Sequence, residues 1–266
     1  MKVLSSRDNP HFKALKKLAQ SSRERQKSGL ILLDGLHLIE SYGQAFGALE
    51  EIFVSEAGCA HAEIAYYLAN APAASPVFRV SDALFKELAP VASPSGVLTV
   101  AKMPKSTQPL NSACDSLLLD GIQDPGNLGS ILRSAAAAGF RQILLSVDCA
   151  QVWSPKTLRA GMGAHFALTL HEAQDLPAFL AGYQGQSIAT SLATDTSLYS
   201  LCLKNPVAWV FGNEGQGIRP AVAHATQRKI RIPMPGAAES LNVAAAAAIC
   251  LFETLRQWRL PETRHG

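Results

Sequence analysis

From residue 30 onward, short apolar runs alternate with stretches of helical spacing, and that alternation restricts the chain to α/β architectures. LILLDG (30–35), EIFVS (51–55), VFRVS (77–81) and GVLTVA (96–101) read as strands, with AEIAYYLAN (62–70) and DALFKELA (82–89) as helices among them. Together they form a unit of about a hundred residues, the size of a small domain. The stretch KMPKSTQPLNSACDS that follows has two prolines and little periodicity, which marks a connection. A boundary near Pro109 is expected, giving domains 1–108 and 109–266. The second unit alternates again: LLLD (117–120), a helix over Leu128 to Ala138, QILLS (142–146), a helix around 154–162, then SIATSL (187–192). VAWVFG (207–212), KIRIP (229–233) and an Ala-rich helix from Leu241 to about Trp258 complete it. Helices between strands imply a mostly parallel sheet covered on both faces, and ligands of such sheets gather at the carboxyl ends of the strands.

Composition narrows the class further. The 48% apolar content of the 266 residues fills one or two cores, and charged residues at 17% exclude a disordered or fibrous chain. No apolar run is long enough to cross a bilayer, and the opening MKVLSSRDNPHFKALKKL lacks the apolar core of a secretory signal, so a cytoplasmic protein is expected. The five cysteines (Cys59, Cys114, Cys149, Cys202, Cys250) show no metal-ligand spacing and read as buried thiols, and no metal site is expected. The net charge of +3 is unevenly placed: residues 1–27 carry eight Lys or Arg against two acids, or +6, leaving −3 for the rest. Asn9 is a candidate N-cap with Pro10 at the first helical position, so a basic amphipathic helix over 9–27 is expected, with Phe12, Leu15 and Leu18 on one side. Its cationic face is either simply solvated or a contact for nucleic-acid phosphates.

Three loops at strand ends carry the functional signal. In LLLDGIQDPGNLGSILRSAAAAGF (117–140), Gly121 and Gly126 have the spacing of a P-loop, but Asn127 and Leu128 replace its lysine and hydroxyl residue. The G-x-G-x-x-G dinucleotide fingerprint is also absent, which argues against a nicotinamide-dependent dehydrogenase. The stretch offers Asn127 as an N-cap, Arg133 inside the helix and Gly139 as a left-handed C-cap; on its own, an arginine such as Arg133 is more often a surface or salt-bridged residue than a functional one. FGNEGQGI (211–218) packs three glycines around Asn213 and Glu214, more than a hairpin needs. IPMPGAAESLNVAAAAAICLF (232–252) bends through Pro233, Pro235 and Gly236 and enters a helix with Ser240 as candidate N-cap.

In order, spacing and residue type these loops resemble the three motifs of the SpoU (TrmH-like) family of RNA ribose 2'-O-methyltransferases, within the SPOUT superfamily. The resemblance covers residues 114–258, and SPKTLRAGMGAH (154–165) is similar to the family's intermediate segment. More loosely, the first domain resembles the ribosomal-protein-like α/β domain that presents RNA in many members. The resemblance implies a SPOUT parallel sheet with a deep trefoil knot, S-adenosylmethionine as cofactor, RNA as partner and a homodimer formed through the catalytic domain, with no membrane or DNA partner. Carried over position by position, Gly212, Ile232, Leu241 and, more weakly, Thr190 or Ser191 contact the cofactor. Arg133 matches the arginine assigned to the 2'-hydroxyl, and Asn127, Glu214, Ser240 and Asn242 match polar residues that organise the site.

A guanidinium is ordinarily fully protonated, so Arg133 is either an unusual base or a cation that holds an RNA phosphate and the forming alkoxide. Glu214 either pins its glycine loop or takes part in catalysis. The final helix, with Leu251, Phe252, Leu255 and Trp258 at helical spacing, serves an interface or the core. None of the seven histidines forms a catalytic pattern. Ribosomal RNA, that of the large subunit first, is the expected substrate; the alternatives are transfer RNA and an RNA-binding protein that keeps the fold without catalysis.

Overall fold

A computed structural model of the chain describes residues 1–70, 75–89 and 94–259; His265 lies outside them. The chain divides into two compact units, one comprising residues 1–105 with 151–166 and the other 106–150 with 167–266.

The first unit contains β1 (Lys2–Leu4), α1 (Pro10–Gln20), α2 (Ser22–Ser28), β2 (Leu30–Asp34), α3 (Leu36–Phe46), β3 (Glu51–Ser55), α4 (Glu56–Cys59), α5 (Ala62–Asn70), β4 (Val77–Val80), α6 (Asp82–Leu88) and β5 (Val97–Lys102). Its sheet runs β1-β4-β3-β5-β2 and is mixed, because β5 pairs antiparallel with both β3 and β2. The expected helix over 9–27 is two helices. Asn9 caps the first as anticipated, but Ser21 leaves the helical region at ψ 120 and its hydroxyl caps α2 by accepting from Glu24 N. Phe12, Leu15 and Leu18 of α1 pack into a core with Leu32, Phe53, Phe85 and Leu98. The basic charge is partly spent internally. Lys16 and Arg7 pair with Glu87, Lys13 pairs with Asp8, and Arg25 is buried and donates to the carbonyls of Leu18 and Ala19. Lys17, Arg23 and Lys27 form no ion pair among the described residues.

The second unit begins with β6 (Ser116–Asp120), α7 (Pro125–Ala138) and β7 (Gln142–Leu145). The chain then contributes α8 (Pro155–Gly161) to the first unit before continuing the second with β8 (Thr169–His171), α9 (Leu176–Ala181), β9 (Gln186–Thr190), β10 (Val207–Gly212), α10 (Pro220–Ala225), β11 (Arg228–Ile230) and α11 (Val243–Arg259). The six strands lie in the order β11-β9-β10-β6-β7-β8 and every pairing is parallel. Every residue of β6, β7 and β10 is buried, which is why these strands read as unbroken apolar runs instead of alternating ones. Helix α11 packs along α7, and its Thr254 hydroxyl accepts from Trp209 Nε1 of β10 at 2.9 Å. Leu251 is fully buried and Trp258 donates to Leu203 O, so one face of α11 joins the core, while Phe252 is exposed. All five cysteines are free, and the expectation of buried thiols holds only for Cys250; Cys202 is exposed and the other three are half-buried.

In the first unit α8 is tied to β2 by Arg159 Nη1, which donates to Asp34 Oδ2 at 2.9 Å. Close by in sequence, His165 is 1% exposed; its Nε2 lies 3.1 Å from Val152 O and its Nδ1 has no partner. Burial pushes its pKa down from 6.5 to about 4. A depressed folded-state value means that the stability it allows is intact above pH 6.5 and lost as the pH falls toward 4. Between those limits wild type is expected to lose about 3 kcal/mol more than a His165→Gln variant, at 1.36 kcal/mol per unit. Denaturant melts at several pH values measure this, and parallel pH curves for the two proteins would rule it out.

Candidate active site

The carboxyl ends of three adjacent strands, β11, β9 and β10, build one cleft in the second unit. Gly212 at the end of β10 is in register with Asp120 at the end of β6, and Val210 of β10 faces Ala189 near the end of β9. Beyond those ends, residues 190–193, 212–218, 230–232 and 240–243 line a cleft of about 590 Å³, a size suited to a small organic ligand. Ile218, Ile230, Ile232, Met234 and Leu241 supply apolar surface to its wall.

The glycine loop after β10 is closed on itself. Asn213 and Gly217 exchange backbone hydrogen bonds of 3.0 and 2.9 Å, Asn213 Oδ1 accepts from the amides of Gly215 and Gln216, and Asn213 Nδ2 donates to Gly121 O. Gly217 has φ +72°, and a side chain on Gly212 would run into the backbone of Gly217 and Ile218. The loop's far end is clamped by Arg219, whose backbone N–H and Nε both donate to the wholly buried carboxylate of Asp120, at 2.8 and 2.7 Å. That hydrogen bond holds the Arg219 guanidinium proton above its ordinary pKa, against the cost of partial burial. Neither residue drew attention in the sequence; the available signal was a single acid closing an otherwise apolar strand. Replacing Arg219 with Met leaves Asp120 one backbone donor and is expected to cost about 2 kcal/mol. Equilibrium urea unfolding measures it, and an unchanged midpoint would remove the clamp from consideration.

The polar candidates gather at the rim. Asn127 is not the N-cap of α7: Asp124 is, accepting from Asn127 N, so Asn127 sits in the first turn with its side chain free. It donates from Nδ2 to Glu214 Oε1 and accepts at Oδ1 from Asn242 Nδ2, both at 2.8 Å. Asn242, in place of the expected Ser240, caps α11 by accepting from the amides of Ala244 and Ala245. Gly212, Ile232, Leu241, Thr190, Ser191, Ser240, Glu214 and Asn242 all line the cleft. Arg133 does not. It lies six residues beyond Asn127 on α7, about 9 Å along the axis, on an exposed stripe with Ser130 and Ala137. It has no ion pair or hydrogen bond among the described residues. Gly139 ends the helix at φ +86°, as expected. Among the described residues no three His, Cys, Asp or Glu side chains are grouped to hold a metal ion, and no helix is long and apolar enough to cross a membrane.

The model of the SpoU rRNA methylase family matches residues 116–252, spanning all three loops and the whole cleft. The chain belongs to this family. Residues 9–99 match a second model, that of the MRM3-like substrate binding domain. The chain is 35% identical to an uncharacterized tRNA/rRNA methyltransferase of Synechocystis, over 96% of this chain and 93% of that one. It is 30% identical to RlmP of Bacillus subtilis, a 23S rRNA (guanosine(2553)-2'-O)-methyltransferase, over 95% and 98%. Among solved structures, an RNA 2'-O ribose methyltransferase superposes with TM-score 0.83 at 32% identity, covering 96% of this chain and 98% of that one. An AdoMet-bound rRNA methyltransferase from Sinorhizobium meliloti does so with TM-score 0.79 at 26% identity, covering 98% and 99%.

Proposed function

We propose that this chain transfers the methyl group of S-adenosylmethionine to the 2'-oxygen of a ribose in RNA, with large-subunit ribosomal RNA as substrate. The observation that carries the reading is that the second and third SpoU loops line one cleft of about 590 Å³ and the first is joined to its rim by the Glu214–Asn127–Asn242 chain. The cleft fits the cofactor by its chemistry: Thr190, Ser191, Glu214 and Asn242 offer polar groups, and Ile232 and Leu241 offer apolar surface for the adenosine faces. Gly212 and Thr190 complete that contact set, with Ser191 beside Thr190. When bound, S-adenosylmethionine supplies a methyl carbon made electrophilic by the sulfonium.

The protein's part is to align the acceptor oxygen with that carbon and to remove its proton; alignment of this kind supplies ~7 to 11 kcal/mol in favourable cases. Arg133, exposed and unpaired, is suited to hold a phosphate and the developing alkoxide. Asn127, Glu214, Ser240 and Asn242 organise the acceptor side. The first unit is read as the RNA-presenting domain, supported by its match to a substrate binding domain and by the unpaired cations Lys17, Arg23 and Lys27. Family membership supports a trefoil knot in the second unit, a homodimer through that unit and a cytoplasmic setting, and the exposed Phe252 on α11 supports the dimer. Transfer RNA stands as the second substrate reading on the strength of the Synechocystis relative's name.

The test is calorimetric titration with S-adenosylmethionine, followed by incubation with a labelled donor and either ribosomal or transfer RNA from a strain lacking the gene. Cofactor binding with label in large-subunit RNA is expected. Label only in transfer RNA moves the substrate, and no cofactor binding removes the reaction.

A further inference from the structure

We infer that Asp120 and Arg219 are positioning residues for the cofactor: as a pair they hold the glycine loop after β10 in the closed form that the cofactor binds. The inference rests on the methyl-transfer reading above. Gly212, where the loop leaves β10, is in register with Asp120 at the end of β6. Arg219, where the loop ends, returns to that same residue: its backbone N–H donates to Asp120 Oδ2 at 2.8 Å and its Nε to Oδ1 at 2.7 Å. Between these ends, Asn213 Nδ2 donates at 2.9 Å to the carbonyl of Gly121, the next residue along. Three points of the loop are thus tied to one dipeptide. The Gly121 N–H in turn donates to Ser146 Oγ at 2.9 Å, so the dipeptide is braced from the segment after β7.

Burial sets this pair apart from an ordinary surface ion pair. The Asp120 side chain is wholly buried and both of its oxygens are taken by Arg219, so without the arginine it would be a buried charge with no cation beside it. The Arg219 guanidinium is half exposed and also reaches Asp148 Oδ2 at 3.3 Å, in the segment after β7. Every residue from Gly212 to Ile218 lines the cleft, whereas neither Asp120 nor Arg219 does, so the pair acts on the cofactor only through the loop. Three glycines give that loop the freedom to open, and its closed form has to be imposed by its anchors. Loosening one anchor lowers the closed fraction, and apparent affinity falls by that fraction. Once the cofactor is bound the loop is closed again, so the rate of transfer at saturation is preserved.

Four variants test this through cofactor affinity by calorimetry, single-turnover transfer at saturating cofactor, and urea unfolding. Arg219→Met is expected to weaken affinity by about tenfold or more, with transfer at saturation within about threefold of wild type. Arg219→Lys keeps the backbone donor and the charge but not the planar fork, and is expected to bind at least about threefold more tightly than the Met variant. Asp120→Asn keeps an acceptor but loses the charge, and a loss of affinity of about tenfold is expected there too. Tyr183→Phe is the control for stability alone: it removes the hydroxyl's bond to Cys114 O, ahead of β6 and away from the loop, and is expected to leave affinity unchanged. Affinity in Arg219→Met within about threefold of wild type, or a loss that Tyr183→Phe matches, overturns the assignment and leaves the methyl-transfer reading standing. Transfer that stays slow at saturating cofactor, or a Lys variant no tighter than Met, also overturns it. Wild type that binds no cofactor refutes the reaction and this assignment together.

Discussion

Arg133→Ala is expected to lower methyl transfer by about 10³-fold while leaving fold and cofactor affinity unchanged. The separation follows from where the residue lies. Arg133 is exposed on α7 and absent from the cleft wall, and its removal breaks no side-chain ion pair or hydrogen bond among the described residues. A surface change of that sort alters stability by no more than about 0.5 kcal/mol. What it does remove is the cation available to an RNA phosphate and to charge forming on the ribose oxygen. Arg133→Lys keeps the charge but loses the planar fork, and an intermediate rate is expected. Single-turnover kinetics with calorimetry decide the matter: a normal rate removes Arg133 from the reaction, and loss of cofactor binding moves it into the cleft.

Gly212→Ala is the second large effect, and it acts at the opposite end of the mechanism. The added methyl would collide with main chain at Gly217 and Ile218, which cannot turn aside as a flexible side chain would. Gly217 also carries, with Asn213, the paired backbone bonds that close the loop, and both Gly217 and Ile218 line the cleft. Relief requires the loop to open, so cofactor affinity is expected to fall by about 10² or more, with about 1 to 3 kcal/mol of stability lost to overpacking. Calorimetry on the variant measures the first and urea unfolding the second. Affinity retained within about threefold would mean that the loop does not shape the cofactor site.

The difference between these two residues illustrates what a sequence makes legible. Gly212 stands out because three glycines crowd a short stretch after an apolar strand, and backbone approach is the physical reason for such crowding. The strands β3 and β10 were readable to the residue, since strands buried on both faces leave continuous apolar runs. Three-residue β1 and β8 have no such signature, because each buries a single residue and so leaves no apolar run. The break at Ser21 was hidden by basic helix formers on both sides, and only the extended geometry of that one residue separates α1 from α2.

Caps proved hard to read for a similar reason. In DPGN the cap is Asp124, because Pro125 occupies the first helical position, and in ESLN it is Asn242 rather than Ser240. Each shift frees or commits a side chain, so the Glu214–Asn127–Asn242 chain emerges only when both helix starts are placed. The Asp120–Arg219 clamp joins residues 99 positions apart, a pairing that spacing within one sequence cannot reveal.

The most direct measurement is the chemical position of the transferred methyl. RNA labelled by this protein from a methyl-labelled donor, then hydrolysed in alkali, should retain its label in dinucleotides that resist cleavage, because a 2'-O-methyl group removes the oxygen that attacks the neighbouring phosphate. Mass spectrometry of those dinucleotides should place the methyl on ribose. Label released in mononucleotides with the methyl on a base would contradict transfer to the sugar oxygen and, with it, the alignment of acceptor and donor across the cleft.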